Sequence, residues 1–337
     1  MRKRLLVSAA VLFAISAPAF ADGELNLYSS RHYDTDEKLY SAFEEKTGIK
    51  INRVEDSADV LIERMTSEGE LSPADVLLTV DAGRIERANA AGLLQPLNSE
   101  VIKDKVPANL ISEDDNWAGV TTRARIIFYD KDEVSDPPQS YEDLADPKYK
   151  GMICTRSSSN VYMIALLGSI IQHHGDETAK AWAEGLKNNL ARDPEGGDTD
   201  QLRGLVSGEC DIVVSNHYYF ARADRKDVSG LTGSTENIGH VFPNQGDRGT
   251  HINISGAGIA ANSPNPENAR LFIEYLLTPE AQKMIADGND EYPVVSGVDP
   301  SPAVVGLGEF KVDTLPLSKF ATASDKATAM YNEIGYK

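Results

Sequence analysis

Asp211-Ile212-Val213-Val214-Ser215-Asn216-His217-Tyr218-Tyr219-Phe220 reads as a short apolar strand running directly into a pair of tyrosines. Successive side chains of a strand point to opposite faces, so both phenols reach one point only if the chain leaves extended geometry after Val214. A strand that opens into a loop carrying two phenols is a place to hold a ligand. The plainer alternative packs one tyrosine in the core and leaves the other half exposed. A second stretch far away, Tyr28-Ser29-Ser30-Arg31-His32-Tyr33, follows another predicted strand, Leu25-Asn26-Leu27, and has the same form.

Working outward, short apolar runs alternate with longer helical patterns. The strand-like runs are Leu25–Tyr28, Ile49–Val54, Val76–Leu78, Ile126–Tyr129, Met152–Cys154 and Ile212–Val214. Helical spacing covers Asp36–Thr47, Ala58–Ser67, Ala82–Ala91, Met163–His173, Asp176–Lys187, Thr199–Ser207, Pro266–Leu277 and Pro279–Asp287. Gly48 closes the first of these, and Pro266 and Pro279 stand where first-turn prolines belong. Such alternation predicts an α/β fold built on largely parallel sheets. Ligands of such sheets bind beyond the carboxyl ends of the strands, which is where both tyrosine stretches fall.

The first 21 residues read as a secretory leader. Arg2, Lys3 and Arg4 form its basic start, Leu5 to Ala17 its apolar core, and Ala19-Phe20-Ala21 its cleavage site. The mature chain then begins at Asp22, in the periplasm of a Gram-negative cell. Its roughly 316 residues suggest two domains. No later run is long and apolar enough to span a bilayer. The net charge of −19 becomes about −22 without the leader, which disfavours nucleic acid as a partner because phosphates are repelled. The two cysteines, Cys154 and Cys210, favour one disulfide in an oxidising compartment, with two buried thiols as the alternative.

Signatures of enzymes are missing. There is no G-x-S-x-G, no H-E-x-x-H and no phosphate-binding G-x-x-x-x-G-K-[ST]. Gly256-Ala257-Gly258-Ile259-Ala260-Ala261 lacks the following helix and acid of a dinucleotide site and reads as a small-residue strand in close packing. His173-His174 reads as a solvated helix end that complements the dipole.

The order of parts resembles the periplasmic substrate-binding proteins of ABC transporters, specifically the ferric-iron-binding group that includes the bacterial ferric-binding proteins and the cyanobacterial FutA-type proteins. The residues that carry the resemblance include Leu27–Tyr33, Ser72–Val76, Ala91–Leu94, Thr121–Tyr129, Ser157–Tyr162, Asn216–Tyr219, Ser255–Gly258 and Glu291–Pro293. It implies a two-lobed type II binding-protein fold, with a mostly parallel sheet in each lobe and a hinge of crossover strands. The amino-terminal lobe would comprise residues 22–123 plus 250–295 and the carboxyl-terminal lobe 124–249 plus 296–337. Crossings are expected near Thr121–Arg125 and Gly249–Asn253.

By the same resemblance, Fe(III) is the bound cargo, held in the interlobe cleft and delivered to an inner-membrane ABC permease by a monomeric, non-enzymatic receptor. Tyr218 and Tyr219 match the tyrosine pair, and His32 and Tyr33 the contribution of the other lobe. The glutamate of the older ferric-binding proteins is replaced by Val80. Tyr162, after Ser157-Ser158-Ser159-Asn160, matches the tyrosine of the FutA-type branch. Arg123 is the candidate for offsetting the site's negative charge or holding an anion such as carbonate, its alternative being a surface or interdomain ion pair.

Fe(III) is small, hard and highly charged, and suits anionic oxygen. A free phenol titrates near pH 10, and a nearby cation favours its ionised form, so metal binding should release protons. Two rivals stand beside this reading. One is the same scaffold binding an organic cation or small anion against the tyrosines. The other is a secreted metal-dependent hydrolase, which would need an open coordination position and a general base.

Overall fold

The structure, a computed structural model, describes residues 23–31, 33–225 and 227–337. The leader at residues 1–21 and the candidate His32 lie outside the described residues. The strands are β1 (Gly23–Ser29), β2 (Ile49–Glu55), β3 (Val76–Thr79), β4 (Leu94–Gln95), β5 (Trp117–Asp130), β6 (Ile153–Cys154), β7 (Ile212–Asn216), β8 (Ile238–Val241) and β9 (Ile252–Ala260). They hydrogen-bond in the order β2-β1-β3-β9-β5-β7-β6, with β4 also on β9 and β8 also on β5.

β5 joins two sheets. Its Trp117–Ala124 half pairs with β9, and its Arg125–Tyr129 half pairs with β7. The fold is α/β and two-lobed, but its sheets are mixed rather than mostly parallel. β1 runs parallel to β2 and β3, and β6 parallel to β7, each pair being joined by helical crossovers. β9 is antiparallel to β3, β4 and β5, and β5 is antiparallel to β7 and β8.

The helices form within two residues of the bounds expected for them, because their ends are encoded locally. Gly48 closes Asp36–Thr47 in the left-handed conformation at φ 77°. Ser57, Asn160 and Thr278 accept backbone N–H bonds at the starts of Ala58–Glu68, Val161–His174 and Pro279–Asn289. Buried apolar side chains gather in two clusters. One includes Leu27, Phe43, Leu77, Trp117 and Phe272, and the other Ile127, Leu167, Trp182, Ile212 and Tyr331. The carboxyl-terminal Ser324–Ile334 helix packs on Val161–His174, while Leu317–Ala321 lies between that helix and Ala82–Ala90.

Cys154 and Cys210 are joined in a disulfide, their Cα atoms 5.9 Å apart. Gly204 makes room for it, since a Cβ there would stand 2.8 Å from Cys210 Sγ. The small-residue run is β9, where a Cβ on Gly258 would meet Leu94 and the Asn116 carbonyl at 2.8 and 2.9 Å. Close packing therefore explains those glycines. No helix of the described residues is long and apolar enough to cross a membrane.

Candidate functional site

The strand read at Ile212–Val214 continues to Asn216, and the chain then enters the helix His217–Arg225 instead of a loop. Consecutive residues of a helix are separated by about 100°. Tyr218 and Tyr219, both in the first turn, therefore project on neighbouring sides, with ring centroids 4.3 Å apart. Tyr162 also sits in a first turn, that of Val161–His174, where the Asn160 side chain accepts its N–H at 3.1 Å. The hydroxyls of Tyr162 and Tyr218 are 3.3 Å apart. Tyr33 lies beyond the carboxyl end of β1, close enough for its ionisation to be coupled to those of Tyr162, Tyr218 and Tyr219. Four of the five expected residues thus converge from three distant parts of the chain.

Guanidinium groups surround them. Arg31 stands 4.9 Å from the Tyr33 ring centre, Arg125 and Arg156 stand 5.7 and 5.9 Å from that of Tyr162, and Arg222 faces both Tyr218 and Tyr219 at 5.6 and 5.7 Å. Arg123 is buried. It donates to the Val80 carbonyl at 2.5 Å, to Ser255 Oγ at 2.6 Å and to Glu291 Oε1 at 2.7 Å. Arg31 donates to the other Glu291 oxygen at 2.9 Å and to Asp36 at 2.8 Å. Asp198 pairs with Arg125 and, at 3.0 Å, with Arg156. The position of the missing glutamate, Val80, thus serves through its carbonyl.

Arg123 is therefore in a buried ion pair and also faces the tyrosines. Burial works against its charge, but Glu291, Tyr162, Tyr218 and Tyr33 outweigh that and raise its pKa. Glu291 is held below its ordinary value because Arg31 and Arg123 overcome the effect of burial. Burial, followed by Glu291 and Tyr162, pushes Tyr33 up to about 12. Tyr218 is raised by burial and then by Tyr162, Tyr219 and Tyr33, and Tyr219 by burial and then by Tyr162 and Asp198. Without a bound cation these three phenols keep their protons at neutral pH. A multivalent cation among their oxygens reverses that preference and expels the protons.

The sequence assigns no part in the site to Arg31, Asp36, Glu291, Arg125, Arg156 or Arg222, and it reads Asp198 only as a possible helix cap, whereas Asp198 pairs with Arg125 and Arg156. Arg31 and Glu291 lie within stretches quoted above, yet a buried charge is recognisable only with its partner, and theirs are 260 residues apart.

The sequence profile of the bacterial extracellular solute-binding proteins matches residues 72–305. Iron uptake protein A1 of Synechocystis sp. is 48% identical over 315 residues, which is 93% of this chain and 88% of that protein. The structure of Trichodesmium FutA in complex with iron and citrate ligands superposes with a TM-score of 0.90 at 48% identity, covering 94% of this chain and 100% of that one. Apo FutA2 from Synechocystis gives 0.89 at 42% identity, covering 94% and 100%.

Proposed function

Because the chain belongs to the family of bacterial extracellular solute-binding proteins, we propose that it captures Fe(III) as cargo through the phenolates of Tyr33, Tyr162, Tyr218 and Tyr219. It is a binding protein and not an enzyme, in keeping with relatives that are iron-uptake and iron-complexed proteins. The observation that carries the ferric reading is the convergence of the phenols, with the Tyr162 and Tyr218 oxygens 3.3 Å apart inside a ring of arginines. Anionic oxygen donors match a hard trivalent ion. Both helix amino-termini that present Tyr162 and the tyrosine pair favour negative charge on those phenols.

In this reading His32 adds a donor beside Tyr33. The lobes comprise residues 22–123 plus 250–295 and residues 124–249 plus 296–337, and closure about β5 and β9 brings Tyr33 onto the other three. Arg123 offsets the excess charge of four phenolates, either directly or by holding a companion anion such as carbonate. The leader directs the chain to the periplasm, and an inner-membrane ABC permease receives the iron.

Ferric titration of the mature protein should develop a visible tyrosinate-to-iron band, which Tyr162→Phe and Tyr218→Phe should each weaken or abolish. Ligand binding without colour would favour an organic cation and overturn the ferric reading. Retention of iron should fall as pH is lowered, because the displaced protons return to the phenolates. Retention that stays flat from pH 8 to about pH 4 would count against phenolate ligation.

A further inference from the structure

We propose that His217 is a positioning residue for the tyrosine pair, tying the helix that carries Tyr218 and Tyr219 to the junction between the two sheets. Its consequence for iron rests on the ferric reading above, whereas the tie itself rests on geometry alone.

His217 is the first residue of that helix and is wholly buried. Its Nδ1 accepts the N–H of Ala124 at 3.2 Å. The proton is therefore on Nε2, which donates to the Asp290 carbonyl at 2.8 Å. Ala124 is the last residue of β5 paired with β9, and Arg125 is the first paired with β7. One ring nitrogen thus holds the backbone where β5 passes from one sheet to the other.

The other nitrogen holds the segment that carries the charges facing the phenols. Asp290 follows the helix Pro279–Asn289 in the left-handed conformation at φ 59°. Next come Glu291, which binds Arg31 and Arg123, and Tyr292, whose N–H and C=O both pair with Thr122 at 2.9 Å. The imidazole also stacks on the Tyr292 ring at 4.3 Å and meets the Tyr218 ring edge to face at 5.7 Å. A neutral histidine offers one acceptor and one donor on a rigid ring, which is what an N–H on one side and a C=O on the other require. Neither nitrogen is left to bind metal. The arrangement fixes where Tyr218 and Tyr219 stand relative to Arg123 and Glu291.

The test compares the full mature protein with His217→Ala, His217→Asn, which keeps an acceptor near the Nδ1 position, and His217→Gln, which keeps a donor near Nε2. In the metal-free proteins the Ala124 amide should exchange with solvent about tenfold or more faster in the Ala variant, with protection partly restored by Asn. In ferric-loaded proteins, release to a chelator should be about tenfold faster for Ala, with a shifted visible band, and slower for Asn and Gln than for Ala. Unchanged exchange at Ala124 overturns the proposal. So does an equal loss of thermal stability in all three variants with no order among their release rates, since that describes a merely structural residue. If the Ala variant does not fold, the Asn and Gln proteins decide on the same readouts. If the parent develops no ferric band, the ferric reading fails, and the exchange pattern alone upholds or overturns the tie.

Discussion

Glu291 shows how a single carboxylate organises the charges around the phenols. It accepts from Arg31 and Arg123 at once, is fully enclosed, and stands among the groups that raise Tyr33. Removing one member of a buried ion group leaves its partners uncompensated, which typically costs several kcal/mol. Glu291→Gln should therefore lower stability by about 3 kcal/mol, measured by urea denaturation. The same change should bring Tyr33 below its value of about 12, because a negative neighbour is gone and two cations remain, and a spectrophotometric phenol titration reads that shift. A variant as stable as the parent would show that the two arginines find other partners. The tyrosines were legible because aromatic hydroxyls recur at strand ends and match a known motif. Glu291 was not, because its partners Arg31 and Arg123 lie 260 and 168 residues away.

At the scale of elements, the helices were readable because their signals are local, as Asn160 shows in setting Tyr162 in its first turn. Asn160→Ala should cost about 1 kcal/mol and weaken the ferric band by loosening that phenol. From apolar pattern β5 was legible only at Ile126–Tyr129, its Thr121–Arg125 part being expected as a crossing through the resemblance alone. Its Thr121, Thr122, Arg123 and Arg125 look like loop residues, yet they pair with strands on both sides, their charges matched by Glu291 and Asp198. The turn from β7 into a helix was likewise read as a loop, because tyrosines and histidine carry no strong helical signal. The disulfide closes a span of 56 residues between β6 and the start of β7, the strands that lead to Arg156 and to the tyrosine pair. Replacing both cysteines by serine should cost about 2 to 4 kcal/mol. Reduction of the parent should reproduce that loss in a denaturation curve.

At the scale of the whole molecule, two buried histidines among the described residues weaken the fold in acid. Burial drives His217 down to about 3, and burial together with Arg125, Arg248 and His173 does the same to His251. Between those values and the ordinary 6.5 only the unfolded chain takes up these protons. Their contribution to stability is therefore complete above about pH 6.5 and is lost as pH falls toward 3. The denaturation midpoint of metal-free protein should drop between pH 7 and pH 4, and His251→Gln should flatten that slope. A midpoint unaffected by pH over that range would mean that both rings find a way to charge in the folded chain. The order of the strands has a further effect on a nascent chain. β9 lies between β3 and β5, so the middle of the first sheet is filled only after residue 252 has been made. Until then the first sheet has an open seam between β3 and β5, so its closure waits on a strand made late in synthesis.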